Sequence, residues 1–356
     1  MPGIERWRSA CRRICAAVGV FALLIPAMLR ASQGTPYPGV YFANKDWEIA
    51  CDNTGTCRAA GYHSEADGAV PPVSVLLTRA AGPGAEVRGR LRLESADDER
   101  RPGERITMSV DGRTLGPVGA ELTGAQVRAI VSRPSAQKSI LFDDGRIRRR
   151  LSDNGLTAVL LKMDEVQGRI GTPGALVRAG VRPEATVPPG FAAPDIAVPV
   201  ISRTTPTIPQ DRLEALLQEL QSDPSNRGCR GLEVKPAQPP SVGVDPLDGQ
   251  WLLVSTVCFS ATENQLKGFW VVARTGSLRP ALVALDATEA YDGLITRRVK
   301  GRGPGDCWEG TTWAWNGTRF LLAEETYAGL CRGLAGGGWY LPTRTATINN
   351  PNTRQK

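Results

Sequence analysis

Eight cysteines and a single histidine limit the side-chain chemistry open to this 356-residue chain. Two of the cysteines, Cys51 and Cys57, lie in the stretch DWEIACDNTGTCRAAGYH, residues 46–63. Such a pair can be a disulfide, half a metal site or a redox couple. Zinc sites use tighter C-x₂₋₄-C spacing, and His63 is the one histidine available. A thioredoxin-like couple needs C-x-x-C, which is absent here. Trp47 to Cys51 and Thr56 to Tyr62 each alternate as strands do, and Asn53-Thr54-Gly55 lies between them. A three-residue hairpin loop wants a left-handed residue at its third position, and Gly55 supplies it. That register sets Asp52 opposite Thr56 and Cys51 opposite Cys57, a non-hydrogen-bonded pair close enough to bridge. A disulfide is the expectation, with no metal and no cofactor.

Other chemistries fail on spacing. Ser135-x-x-Lys138, Ser152-Asp153-Asn154 and Arg274-Thr275-Gly276 together mimic the signature of serine β-lactamases and penicillin-binding proteins. In those enzymes the serine opens a buried helix and a helical domain follows. Here Pro134 precedes the serine, and only 13 residues carrying a hairpin separate Lys138 from Ser152. Ser152 reads instead as a helix cap. G-x-S-x-G and H-E-x-x-H are absent, and the GRGPGD turn lacks the Lys-Ser/Thr of a phosphate loop. Asp306 in that turn and Glu324 in the next hairpin are the weak candidates for a catalytic acid/base pair.

Two patterns suit binding better. Arg88, Arg90 and Arg92 alternate with apolar residues, as do Arg146, Arg148 and Arg150. On a strand each triplet shares one face at intervals of about 7 Å. If the two strands are neighbours, they form a cationic face for phosphate or carboxylate groups; otherwise they are solvated outer faces. Trp313 and Trp315 share a strand face, and a two-residue Asn316-Gly317 turn would set Phe320 opposite Trp313. Exposed, these rings would stack on sugars; buried, they are core.

These residues need elements to hold them. Abundant proline and glycine with few aromatics favour strands and turns over helical bundles. Residues 1–31 read as a signal peptide: Arg6, Arg8, Arg12 and Arg13 precede an apolar run, Ile14 to Met28, too short for a comfortable span. An uncleaved anchor is the alternative; twin-arginine export and a lipobox at Cys11 or Cys15 fit poorly. Its removal takes five arginines and one glutamate from a formal +7, leaving +3, which argues poorly for nucleic acid. The expected fold class is α+β, as two β-rich domains. An N-terminal domain, 37–180, has strands at Trp47–Cys51, Thr56–Tyr62, Val73–Arg79, Glu86–Leu93, Arg105–Val110, Ser139–Phe142 and Arg146–Leu151. Its two short helices are opened by Thr123, in a capping box with Gln126, and by Ser152. A Pro-rich linker, 181–209, and an amphipathic helix, 210–223, lead to a mostly antiparallel β domain, 224–348. Residues 349–356 read as a disordered tail. The four remaining mature cysteines, Cys229, Cys258, Cys307 and Cys331, allow three connectivities. Proximity favours Cys229 with Cys258 and Cys307 with Cys331.

DWEIACDNTGTCRAAGY, LSDNGLTAVLLKMDEVQGRIGTPGALVRAG and KGRGPGDCWEGTTWAWNGTRF…CRG resemble the bacterial family of domain of unknown function 1176 over nearly all of the mature chain. The first domain is remotely similar to the invasion-associated locus B proteins. The resemblance implies an envelope location and implies no reaction.

The reading that results is a periplasmic, non-enzymatic binding module for an anionic or glycan envelope component, or for an envelope protein. Alternatives are a carboxylate-dependent hydrolase of envelope polysaccharide and a structural or stress-protective factor. Neither nucleic acid nor an integral membrane span after signal cleavage is expected, and the sequence carries no signal for oligomeric state.

Overall fold

Cys51 and Cys57 stand directly opposite each other across the hairpin that the glycine at position 55 makes possible, and Asp52 N–H donates to Thr56 O. This is seen in a computed structural model that describes residues 37–67, 71–94, 105–132, 137–204, 207–233, 242–276 and 279–352. The signal segment, 1–31, and Ser135 lie outside the described residues.

The first half begins with β1 (Val40–Asn44), β2 (Trp47–Cys51), β3 (Cys57–Tyr62), β4 (Val73–Arg79) and β5 (Val87–Leu93). They form an antiparallel meander, and β8 (Glu121–Leu122) pairs on the far side of β5. Between these come β6 (Ile106–Val110) and β7 (Arg113–Val118), which join β9 (Ile140–Asp143) and β10 (Arg148–Leu151) in a second sheet of order β10-β9-β6-β7. Helices α1 (Gly124–Val131) and α2 (Leu156–Val166) complete this half. Thr123 and Gln126 make the expected reciprocal capping box on α1. Lys138 closes the other end of α1, its ammonium donating to the carbonyls of Ala129, Ile130 and Ser132, which the helix leaves unpaired.

Ser152 does not cap α2. Its N–H donates to Tyr62 O and its hydroxyl to Asp46 Oδ2 at 2.6 Å, which ties the end of β10 to the first sheet. The helix therefore starts three residues later, after Gly155 at φ 99°, a position where a Cβ would overlap the Asn44 carbonyl.

Strand β2 is buried at all five positions rather than alternately. Trp47, Ile49 and Cys51 face a core shared with the helices and the second sheet, while Ala50 joins a cluster with Leu334 and Leu341 from the other half. Gly61, opposite Trp47, leaves room for its indole. Fully burying side chains of this size contributes roughly 1.5–3 kcal/mol each.

The second half starts with β11 (Asp195–Ala197) and α3 (Gln210–Ser222). Strands β12 (Gly243–Pro246), β13 (Trp251–Ser260), β14 (Gln265–Ala273) and β15 (Ala281–Ala287) make one antiparallel sheet. Strands β16 (Glu289–Tyr291), β17 (Leu294–Lys300), β18 (Trp308–Trp315), β19 (Phe320–Tyr327) and β20 (Leu341–Arg344) make another. The architecture is α+β, with two β-rich halves. Leu216 and Leu220 of α3 pack on one face of the first of these sheets, against Val254, Trp270 and Val272. Its other face meets the second sheet through Leu253, Phe269, Val271, Ile295 and Trp315.

The segment expected to be a linker is extended, yet it is also core. Val187 and Val198 are buried, and β11 pairs in parallel with β21 (Thr347–Asn349). The expected tail is corrected in the same place: residues 349–352 are held, because the Asn352 carboxamide accepts from Ile201 N–H and donates to Pro199 O. All three disulfides join the pairs that sequence proximity favours. Among the described residues, no helix is long and apolar enough to cross a membrane.

Candidate functional site

Trp313 and Trp315 project to the same side of β18, but they end in different surroundings. Trp315 is fully buried, edge-on to Trp251 at 6.3 Å and tilted against Phe320 at 5.3 Å. Trp313, two residues nearer the strand centre, is half-buried and opens onto a depression of about 390 Å³ at the margin of the two packed sheets. Trp251, Leu282, Phe320 and Arg319 are among its other walls. Leu282 keeps 38% of its surface exposed there. Among the described residues the Arg319 guanidinium makes no ion pair, and its backbone N–H is taken by Asn316 Oδ1.

Phe320 lies opposite Trp315 and not opposite Trp313. The Asn316 carboxamide accepts from the N–H groups of Thr318 and Arg319, so the turn spans four residues and shifts the pairing by two. Trp251 and Arg319 escaped sequence reasoning. The signal for Trp251 was present in Asp248-Gly249, since Asp248 Oδ1 accepts from the N–H groups of Gln250 and Trp251 and launches β13.

The arginine strands do not form one face. β5 is flanked by β4 and β8, while β10 is the edge of the other sheet and pairs only with β9. Several of these guanidiniums are also spent. Arg92 donates to the carbonyls of Ala335, Gly337 and Gly338, clamping that loop. Arg90 pairs with Glu121 at 3.1 Å and lies over Trp339, and Arg148 pairs with Asp143 at 2.9 Å. Arg88, Arg146 and Arg150 are exposed.

Asp306 and Glu324 are not brought together. Glu324 pairs opposite Thr312, four residues into β18, whereas Asp306 precedes that strand. Four residues of strand span about 13 Å, beyond the carboxylate separations that glycoside hydrolysis uses. Asp306 is buried, chelated by the Arg302 guanidinium and bonded to Gly333 N–H at 2.6 Å. Arg302 holds its carboxyl below the ordinary range, so it is a fixed anion. Glu324 accepts from the Tyr340 hydroxyl at 2.5 Å.

A second constellation emerges where the halves meet. Asp46 receives the Ser152 hydroxyl on one oxygen and Arg332 on the other, at 2.6 and 2.8 Å. Two residues on, Glu48 is wholly buried and accepts from Tyr62 Oη at 2.5 Å, Tyr41 Oη at 2.7 Å and Leu330 N–H at 2.8 Å. Asn53 exchanges two hydrogen bonds with the backbone of Thr345. Asp46, Ser152 and Arg332 come one each from the three quoted sequence segments. Those segments therefore converge on a seam that docks residues 329–345 onto the first sheet. Its carboxylates are sealed in, so this constellation positions the halves and is poorly placed to meet a ligand. His63 lies at the end of β3, half-buried, beside this seam.

Comparisons with known proteins span both halves. The family described as "Protein of unknown function (DUF1176)" matches residues 41–346. "Uncharacterized protein YpfG" of Escherichia coli (strain K12) is 28% identical over 363 aligned positions, covering 92% of this chain and 98% of that protein. No solved structure matches the chain. These matches do not support the remote likeness of the first half to invasion-associated locus B proteins. The matched span takes in both the seam and the Trp313 depression, and the chain belongs to the DUF1176 family.

Proposed function

We propose that this is an exported, disulfide-stapled binding protein of the bacterial cell envelope, whose Trp313 depression receives a sugar ring of an envelope glycan. The observation that carries the reading is the partly exposed indole of Trp313 in an open, aromatic-walled depression with Arg319 on its rim. Flat aromatic faces suit the apolar C–H faces of sugars, and a guanidinium on the rim suits hydroxyls and carboxylates. Clefts of some 300–1,000 Å³ are typical of small-ligand sites, and this one falls at the lower end. Three closed disulfides support an oxidising compartment, which in a bacterium means the periplasm or beyond.

The test is a titration of the purified protein with glycan fragments released from the envelope, read by tryptophan fluorescence. Wild type should show saturable change, and Trp313→Ala should lose it while still unfolding in one cooperative transition, at a lower temperature because the indole also packs on the Trp315 cluster. Equal binding by Trp313→Ala, or binding removed instead by Arg88→Ala/Arg90→Ala, would refute the site.

A further inference from the structure

We infer that the sugar in the Trp313 depression carries a short acidic peptide, which pairs as an added strand with the free edge of β19; the inference rests on the glycan reading of the depression. Strand β19 runs from Phe320 to Tyr327, but β20 pairs only with its far end, at Glu325, Thr326 and Tyr327. Among the described residues, Phe320 to Leu322 therefore have β18 on one side and no strand on the other.

The ladder fixes which backbone groups point outward there. Trp315 N–H donates to Gly293 O on the β17 side, so Trp315 turns its backbone groups away from β19. Phe320, its partner across the strand pair, then turns its own away from β18, and so does Leu322 two residues on. Leu322 O accepts from Arg344 Nε at 3.2 Å, which shows the same direction. Phe320 N–H, Phe320 O and Leu322 N–H are left facing outward. One residue of an extended peptide exchanges both bonds with Phe320, and the residue two away from it accepts from Leu322 N–H. An arm of about three residues fits.

The same stretch borders the depression. Phe320 and Leu322 are walls of it, and Leu322 stands opposite Trp313. A strand added at the free edge lies two strand spacings, about 10 Å, from β18. A sugar ring on Trp313 with a short linker covers that distance. Charge points to an acidic arm. Arg319 flanks the free stretch at one end, and the Arg344 guanidinium, held at Leu322 O, flanks it about 10 Å further along the strand. Among the described residues Arg344, like Arg319, makes no ion pair. No carboxylate is among the walls of the depression. Glu324 accepts from Tyr340 on the opposite face of β19. Glu325 lies across from Arg344 and offsets part of its charge, which leaves Arg319 the stronger anchor. Carboxylates on the arm make charge-assisted hydrogen bonds to these planar forks.

The experiment is isothermal titration of the purified protein with chitobiose, which has no peptide, and with the disaccharide-tripeptide that muramidase releases from peptidoglycan. Amide hydrogen exchange at Phe320 and Leu322 is followed in both complexes. The disaccharide-tripeptide should bind about tenfold or more tighter than chitobiose, because ring and arm engage together. It should slow exchange at both amides, and chitobiose should not. Arg344→Ala should lose part of the tenfold gain and leave chitobiose affinity unchanged, and Arg319→Ala should weaken the disaccharide-tripeptide more than Arg344→Ala does. Equal affinity for the two probes, with Trp313→Ala still abolishing binding, would overturn the peptide arm and leave the one-ring site standing. Tighter binding without slowed exchange at Phe320 and Leu322 would overturn the added strand. No binding of either probe would sink the glycan reading itself.

Discussion

Glu48 offers the sharpest physical test of how the two halves are held. Replacing it with alanine leaves the Tyr62 and Tyr41 hydroxyls and the Leu330 N–H without their acceptor, and Glu48 and Tyr62 are wholly buried. Each orphaned buried donor costs about 1–3 kcal/mol, partly recovered as the site relaxes, so Glu48→Ala should lose about 3–5 kcal/mol. For a chain of this size that is a fall of roughly 4–7 °C in melting temperature. Glu48→Gln keeps one acceptor oxygen and should lose about 1–2 kcal/mol. The pH dependence sharpens the test. Burial raises the Glu48 carboxyl above its ordinary 4.5, with the Tyr62, Tyr41 and Leu330 donors and Arg332 pulling it back. The folded state then holds its proton longer than the unfolded state. Stability of the wild type consequently falls as pH rises from the unfolded value through the raised folded one, and is level beyond. Glutamine does not titrate, so the gap between wild type and Glu48→Gln should narrow across that window. Urea unfolding of the three proteins at a series of pH values measures it. A gap that widens with rising pH would refute the reasoning, because it would mean that the donors outweigh burial.

Two further perturbations probe the same seam. Cys307 and Cys331 close a loop of 24 residues beside it, so Cys307→Ser/Cys331→Ser should cost about 3.5 kcal/mol in denaturant melts, and an unchanged midpoint would argue that the loop is held by Asp306 and Arg302 alone. Gly329 sits at φ 104° with the Tyr62 hydroxyl where a Cβ would go, so Gly329→Ala should destabilise by about 2 kcal/mol or more and disturb the Tyr62–Glu48 contact, visible as a shift in tyrosine absorbance.

Local patterns were legible where they set local structure. The Cys51–Cys57 hairpin was readable to the residue, because Gly55 is the one position in its loop suited to a left-handed backbone. The strand at 73–79 and the helix at 210–222 follow their apolar periods. What escaped was set by partners distant in sequence. Ser152 looks like a cap, but Asp46, far upstream, claims its hydroxyl and moves the helix start. β11 and β21 pair in parallel across some 150 residues of chain, and three-residue strands of that kind carry no local signature. The arginine triplets alternate as expected, yet alternation fixes a face and says nothing about which strand lies alongside. Of the site, Trp313 was legible as a candidate. Its walls were not, because Trp251 and Leu282 reach it from a separate sheet.

The central claim is the proposal that this protein engages an envelope glycan through one margin of its second half. Hydroxyl-radical footprinting of the protein, with and without isolated peptidoglycan sacculi, tests it most directly. Protection should concentrate on Trp313, Phe320 and Leu282. Protection centred on the arginine strands β5 and β10, or none anywhere, would contradict it.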